Sequence, residues 1–367
     1  MVKTKHLIQF LSTIVLIFCI HLFVSSPERV EQWYSNGVYV YISYFMRLIT
    51  NRFPFSIGDL IYVVFIISAL VYLIQTIKNL IHPPEGNKRF EVVLSFALTT
   101  INFLLGAYAW FMLLWGINYY RIPTAQKMNL DGKLYGVEEL SKLAINLADS
   151  VNYYQYRLTQ NDTIQFRSGK ETSTMFQTAE QNYTESNNYD FEQFSTKKSL
   201  FNKLISYSGI SGYYNPFTGE AQVNTLLPQN FQPFTISHEL AHQTGIGAEG
   251  EANFIGFLAA IKSNSDFSKY SAFLEAFVYV NSTIGAMDME LRKAMTEKLN
   301  KGARKDLKEY KKFIIDHQNA IEPYISWYYD LFLKTNNQPK GIKSYNDFVE
   351  LLLAYYSPQL IINSPKT

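Results

Sequence analysis

The alternation of apolar and polar positions divides the chain in two. In the first third, three runs carry no formal charge: Leu7 to Ser26, Leu60 to Ile77 and Val92 to Tyr120. A helix needs roughly 20 apolar residues to cross the hydrocarbon of a bilayer. The pattern therefore predicts three membrane spans, at about residues 7–26, 57–78 and 91–117. Between the first two, Glu31 to Asn51 reads as an amphipathic piece rich in Tyr and Trp, suited either to the headgroup region or to packing on a folded domain. Asp59, near the start of the second span, reads as a cap or a snorkelling group with no catalytic role.

Beyond a polar connection running to Lys133, the periodicity becomes that of water-facing helices. Leu140, Leu143, Ala144, Leu147 and Val151 place a helix over 136–158. The polar stretch 159–195 holds a short helix near Met175 to Tyr183, and Lys198 to Tyr207 forms another, stopped by Gly209. Ser211 to Asn224 has turn signals at Asn215-Pro216 and Thr218-Gly219 between β-capable runs, which predicts a hairpin. Helices follow over 248–263 and 267–287, then a long one over 301–334 kinked at Pro323, and a last one over 345–356. The expected fold is mainly α: a membrane anchor over residues 1–120 and a second domain over 121–367, with a small hairpin or sheet beside the helix described next.

Charge adds orientation. The formal net charge of +2 gives no reason to expect nucleic acid. Lys3, Lys5, Lys78, Lys88 and Arg89 flank one side of the spans, and Arg29, Arg47 and Arg52 the other. The excess places the N-terminus in the cytoplasm, so three crossings put the second domain outside the cytoplasmic membrane of a multi-pass protein. Lys3 and Lys5 also precede an apolar core as in a signal peptide, but the run is long and no A-x-A site follows, so an uncleaved anchor is expected. The spans contain no charged pair of the kind a transport pathway uses. The only cysteine, Cys19, lies in the first span, so a metal in the outer domain must use His, Asp or Glu.

That restriction matters because His238-Glu239-Leu-Ala-His242 is HExxH. On a helix, His238 and His242 stand one above the other and can bind one Zn²⁺, with Glu239 beside them able to take a proton from a metal-bound water. A catalytic site needs a third protein ligand. The candidates are Glu249, Glu251 and His317. Glu249 shares its face with Ala252, Asn253, Gly256 and Ala260, small enough for this helix to approach the first closely. Glu251 heads a face of Phe254, Ile255 and Leu258 that reads as core. An acidic residue at a helix start also has a purely structural explanation, the helix dipole. Tyr213, Tyr214, Tyr270 and Tyr279 are candidate oxyanion donors, and a hairpin beside the helix can either pair with an extended peptide or simply pack.

Glu249-Gly-Glu-Ala252-Asn253 resembles the E-x-x-A-[DN] element of gluzincin-like zinc metallopeptidases. The resemblance implies a zincin-like domain, Glu249 as third ligand and Asn253 behind it as an orienting residue. Here His242 and Glu249 are only seven apart, which demands a tight turn and leaves Glu251 as the alternative. Gly245 also occupies the position of the metzincin glycine, but the metzincin ligand would fall on Ala248, which cannot bind metal. HELAHQ, EANF, the Pro-Phe-Thr-Gly-Glu turn, WGINYYR and FPFS together resemble an uncharacterised family of bacterial membrane proteins with a domain of unknown function. The expectation is a zinc-dependent peptidase at the cell envelope, acting on a peptide or protein substrate beside the lipid bilayer. The alternative is a non-catalytic zinc-binding sensing or structural protein.

Overall fold

A computed structural model describes residues 2–84, 88–130, 135–169, 172–187 and 194–362. Lys133, where the polar connection was expected to end, and the side chains of Lys3 and Lys5 lie outside these residues.

Three helices, Val2–Phe23, Ile57–Ile81 and Arg89–Leu114, are long and apolar enough to cross a membrane. Only 6%, 11% and 11% of their most apolar windows are buried within the protein, so these side chains need a non-aqueous neighbour. The second begins at Ser56, whose Oγ accepts from the Asp59 amide at 3.0 Å. The carboxylate of Glu220 takes the amides of Ile57 and Gly58 at 3.1 and 2.6 Å, an anion at a helix N-terminus. The third helix stops at Leu114, earlier than its apolar run suggested. Trp115 leaves helical geometry and residues Gly116–Tyr120 tighten into a 3₁₀ turn. Gly116 permits this, since a Cβ there would lie 2.6 Å from the Phe111 ring.

Between the first two long helices, a π-helical stretch Val30–Val38 runs into the α-helix Tyr39–Thr50. The expected amphipathic piece is there, but inside out. Tyr39, Ser43, Arg47 and Thr50 are buried, whereas Tyr41, Phe45 and Ile49 face outward.

The main core joins helices Val137–Thr159, Glu249–Lys262, Asp266–Met287 and Asp347–Ile362 through residues such as Leu143, Leu147, Phe254, Phe257, Phe277 and Leu352. Each such side chain contributes about 1.5–3 kcal/mol on burial. A second cluster packs Tyr183, Phe194, Val223, Ile236 and Leu240 between the helix Thr172–Asn187, a small sheet and the HExxH helix.

The sheet has three strands, β1 (Thr196–Lys198), β2 (Gly212–Asn215) and β3 (Glu220–Val223), in the order β1-β3-β2. β2 and β3 are the expected hairpin, paired antiparallel from Gly212↔Val223 to Asn215↔Glu220. Lys198, expected to open a helix, ends β1 instead, because its backbone pairs parallel with β3; the helix is only Asn202–Tyr207. The long C-terminal helix is two: Lys301–His317 and Glu322–Thr335. Asn319 Oδ1 accepts from the amides of Ile321 and Glu322 at 2.9 and 3.1 Å, and Pro323 sits in the new first turn, where it starts a helix rather than kinking one.

Candidate metal centre

The HExxH helix spans Gln232–Gln243, and every residue of it is buried. Its end fixes the site. Gly245, at φ +83°, closes a Schellman turn in which the Ile246 amide donates to Ala241 O and the Gly245 amide to His242 O. This turn directs the Ile246 carbonyl back to the His242 ring, whose Nδ1 lies 2.6 Å away. A backbone carbonyl only accepts, so Nδ1 carries a proton and Nε2 is the nitrogen that would give its lone pair to a metal.

The next helix, Glu249–Lys262, crosses close by. A Cβ on Gly256 would stand 2.8 Å from the His238 amide nitrogen, so only glycine allows this approach. Glu249 is thereby brought to the histidines. His238 Nε2 and His242 Nε2 are 3.1 Å apart, and Glu249 Oε2 is 3.4 and 3.5 Å from them. Two ligands about 2.0–2.1 Å from a tetrahedral cation stand about 3.3–3.4 Å apart, so this triangle has the dimensions of a metal's ligand set. A looser grouping, with all ligand atoms within 4.8 Å, joins Glu239 to the two histidines instead. The tighter triangle is the better third-ligand criterion because it matches the separation that coordination imposes.

Glu239 lies against β2, where a Cβ on Gly212 would come within 2.7 Å of its Oε1. Its Oε2, like His238 Nδ1, is buried without a hydrogen-bond partner. Buried orphan atoms are costly and call for an explanation. A ligand or reactant at the triangle supplies one for Glu239.

The electrostatics follow from burial and crowding. Burial acts most strongly on Glu239 and, with the Glu249 charge, outweighs the two imidazoles, lifting its carboxyl to about 7. Burial disfavours imidazolium at His242, but the Glu249 carboxylate, the charge of Glu239 and the Ile246 carbonyl together raise it to about 9. Burial would also raise Glu249, yet the two imidazoles hold it well below the usual carboxylate range. A proton on His242 thus does in the ion-free protein what a divalent cation does more fully: it neutralises converging lone pairs.

The structure parts the remaining candidates. Glu251 turns away, its two oxygens accepting from the Thr124 amide and hydroxyl at 2.8 Å each. His317 packs against Tyr207 and Phe313 and bonds to the Phe313 carbonyl. Asn253 is buried, and its Nδ2 donates to Tyr279 Oη at 3.4 Å. Among the four candidate tyrosines, Tyr213 is engaged by Asp59 and Ser199, Tyr214 by Tyr39, and Tyr270 by Asp306 at 2.5 Å. Tyr279 is the one of the four whose hydroxyl feels Glu249: it is raised by burial and then by Glu275, with a further contribution from Glu249.

Sequence reasoning missed two sets of residues. Tyr329 Oη donates to Glu249 Oε1 at 2.7 Å, and Tyr345 and Tyr119 approach the same carboxylate, which adds to burial in holding their hydroxyls protonated. The second set holds the end of the HExxH helix. Trp115 Nε1 donates to His242 O at 3.0 Å, Tyr39 Oη and Arg47 to Gln243 O at 2.9 and 3.3 Å, and Arg121 to Gly245 O at 3.0 Å. All four donors come from segments that adjoin the long apolar helices. Gly245 and Gly247 leave room for them, since Cβ atoms there would meet Asn118 and Tyr119 at 2.9 Å. Gly-Ile-Gly after HExxH was the one available signal.

This site lies inside the region matched by a family model, described as protein of unknown function (DUF3810), over residues 34–353. The chain belongs to that family. No curated protein and no solved structure matches it.

Proposed function

We propose that this protein is a membrane-anchored zinc-dependent peptidase that hydrolyses peptide bonds at the cell envelope. The observation that carries the reading is the triangle of His238 Nε2, His242 Nε2 and Glu249 Oε2, 3.1–3.5 Å on a side, with Glu239 beside it, its Oε2 buried without a partner. Two imidazoles and one carboxylate, with a position left open, are a donor set of catalytic zinc. Zn²⁺ bound there would supply Lewis acidity toward a scissile carbonyl and make water acidic near neutral pH.

The chain's own residues do the rest. Glu239, a carboxylate with no hydrogen-bond partner on Oε2, accepts the proton of the attacking water and returns it to the leaving amine. Ile246 O holds the His242 tautomer, and Tyr329 holds Glu249 through its second oxygen. Tyr279, whose hydroxyl meets Asn253 and feels the Glu249 charge, is the candidate donor for the developing oxyanion. β2 is an edge strand beside the helix, able to pair with an extended peptide.

The orientation is part of the proposal: N-terminus in the cytoplasm, the catalytic domain outside the cytoplasmic membrane. It rests on the excess of Lys3, Lys5, Lys78, Lys88 and Arg89 over Arg29, Arg47 and Arg52 in the segments flanking the spans.

Purified full-length protein, screened against peptide libraries and envelope proteins, is expected to hydrolyse a substrate that Glu239→Gln leaves intact while still binding zinc. Zinc binding by both with hydrolysis by neither would select the non-catalytic reading.

A further inference from the structure

Among the described residues outside the three long helices, two further helices stand out by an aromatic-rich face turned outward. Tyr39–Thr50 is one, with Arg47 and Ser43 inside and Tyr41, Phe45 and Ile49 outside. Glu322–Thr335 is the other. Tyr324, Trp327 and Tyr328 are 73%, 67% and 66% exposed, and Ile321 and Leu331 complete the same face. That face carries no charge until Lys334 at its end, which pairs with Asp330 at 2.6 Å. The neighbouring helix Lys301–His317 pairs Lys312 with Asp316 in the open, beside the exposed Ile314 and Ile315.

What covers the face of Glu322–Thr335 follows from its edge. Phe332 lies one turn beyond Tyr328 on the same side. Its ring centroid is 6.0 Å from that of Phe111, in the last turn of the helix Arg89–Leu114, and 6.5 Å from that of Tyr119. The uncovered aromatic face is therefore continuous with the surface of an apolar membrane-crossing helix. Trp and Tyr with aliphatic neighbours and a Lys at one end are the composition of the headgroup–acyl boundary.

We propose that the helix Glu322–Thr335 lies in the interfacial layer of the same bilayer, with lipid covering Ile321, Tyr324, Trp327, Tyr328 and Leu331. Its opposite side carries Tyr329 to Glu249, so one helix joins the lipid surface to the candidate metal centre. The proposal does not depend on zinc or on catalysis.

The test uses the full chain in phosphatidylcholine nanodiscs. In a Cys19→Ser background, nitroxide labels are placed through Tyr324→Cys, Trp327→Cys and, as a control, Lys312→Cys. Labels at 324 and 327 are expected to collide readily with oxygen and poorly with an aqueous nickel chelate, on the order of 5–10 Å below the phosphates, with the reverse at 312. Nickel accessibility at 324 and 327 equal to that at 312 would overturn the proposal. So would shielding from both reagents, which would mean that protein, a second copy included, covers the face. As a check that alters this helix only by Trp327→Phe, the emission lost in that variant is expected to be quenched by brominated lipid and not by acrylamide. Quenching by acrylamide alone would contradict lipid contact.

Discussion

The histidine-bearing face and the C-terminal end of the HExxH helix are held by different parts of the chain. Along its face, His238, Glu239 and His242 meet Glu249 from the helix that follows, all within residues 238–249. At its C-terminal end, the carbonyls of residues 242, 243 and 245 are held by Trp115, Tyr39, Arg47 and Arg121. The first region supplies chemistry and is local in sequence. The second supplies placement and comes from more than a hundred residues away. The candidate metal site at the end of one buried helix thus depends on segments that adjoin the long apolar helices, so those helices are part of the site's framework.

The sharpest way to separate the two regions is to remove chemistry and leave placement. Glu239→Gln is expected to lower peptide hydrolysis by about 10²–10⁴-fold, with unchanged thermal unfolding and zinc content. Retained activity would take Glu239 out of the mechanism. Next comes Tyr329→Phe, which deletes the donor to Glu249 Oε1. Loss of such an outer partner costs about 10–100-fold in metal affinity, measurable by competition with a chelator; no change would mean that Tyr329 only packs.

The placement region gives smaller effects. Trp115→Phe keeps the aromatic contact but loses the bond to His242 O, and is expected to destabilise the protein by about 1 kcal/mol, read as a lowered unfolding midpoint in detergent. The smallest effect is acid dependence. Glu31 pairs with Arg121 and Lys127; burial would raise its carboxyl, but these partners bring it down to about 2 from an ordinary 4.5. A depressed folded pKa gives stability that is full above about 4.5 and fades as pH falls toward 2. The advantage of wild type over Glu31→Gln should therefore shrink below pH 4.5, and an advantage independent of pH from 6 to 3 would contradict the pairing.

The difference between the regions also explains what could be read from sequence. HExxH, the small residues at 252, 256 and 260 and the glycine stop at 245 are local patterns, and they led to the fold of the two site helices and to the Glu249 position. The three long apolar helices were legible for the same reason, since length and hydropathy are local. Tyr329 was not, because only tertiary packing brings it across from a helix 80 positions away. Pro323 was misread as a kink because the preceding Asn319 cap is visible only as a geometry. Lys198 was misread because parallel pairing with β3 overrode its helical context. The inverted amphipathicity of Tyr39–Thr50 was hidden because the count of apolar residues does not say which face looks inward.

The central claim is that His238, His242 and Glu249 hold one Zn²⁺. X-ray absorption on the full-length protein, with metal content measured in parallel, tests it most directly. The expected result is one zinc per chain with two imidazole nitrogens at about 2.0–2.1 Å and oxygen donors completing the shell, retained in Glu239→Gln and lost in His238→Ala/His242→Ala. Stoichiometric zinc that survives loss of both histidines, or none in the wild type, would contradict the account.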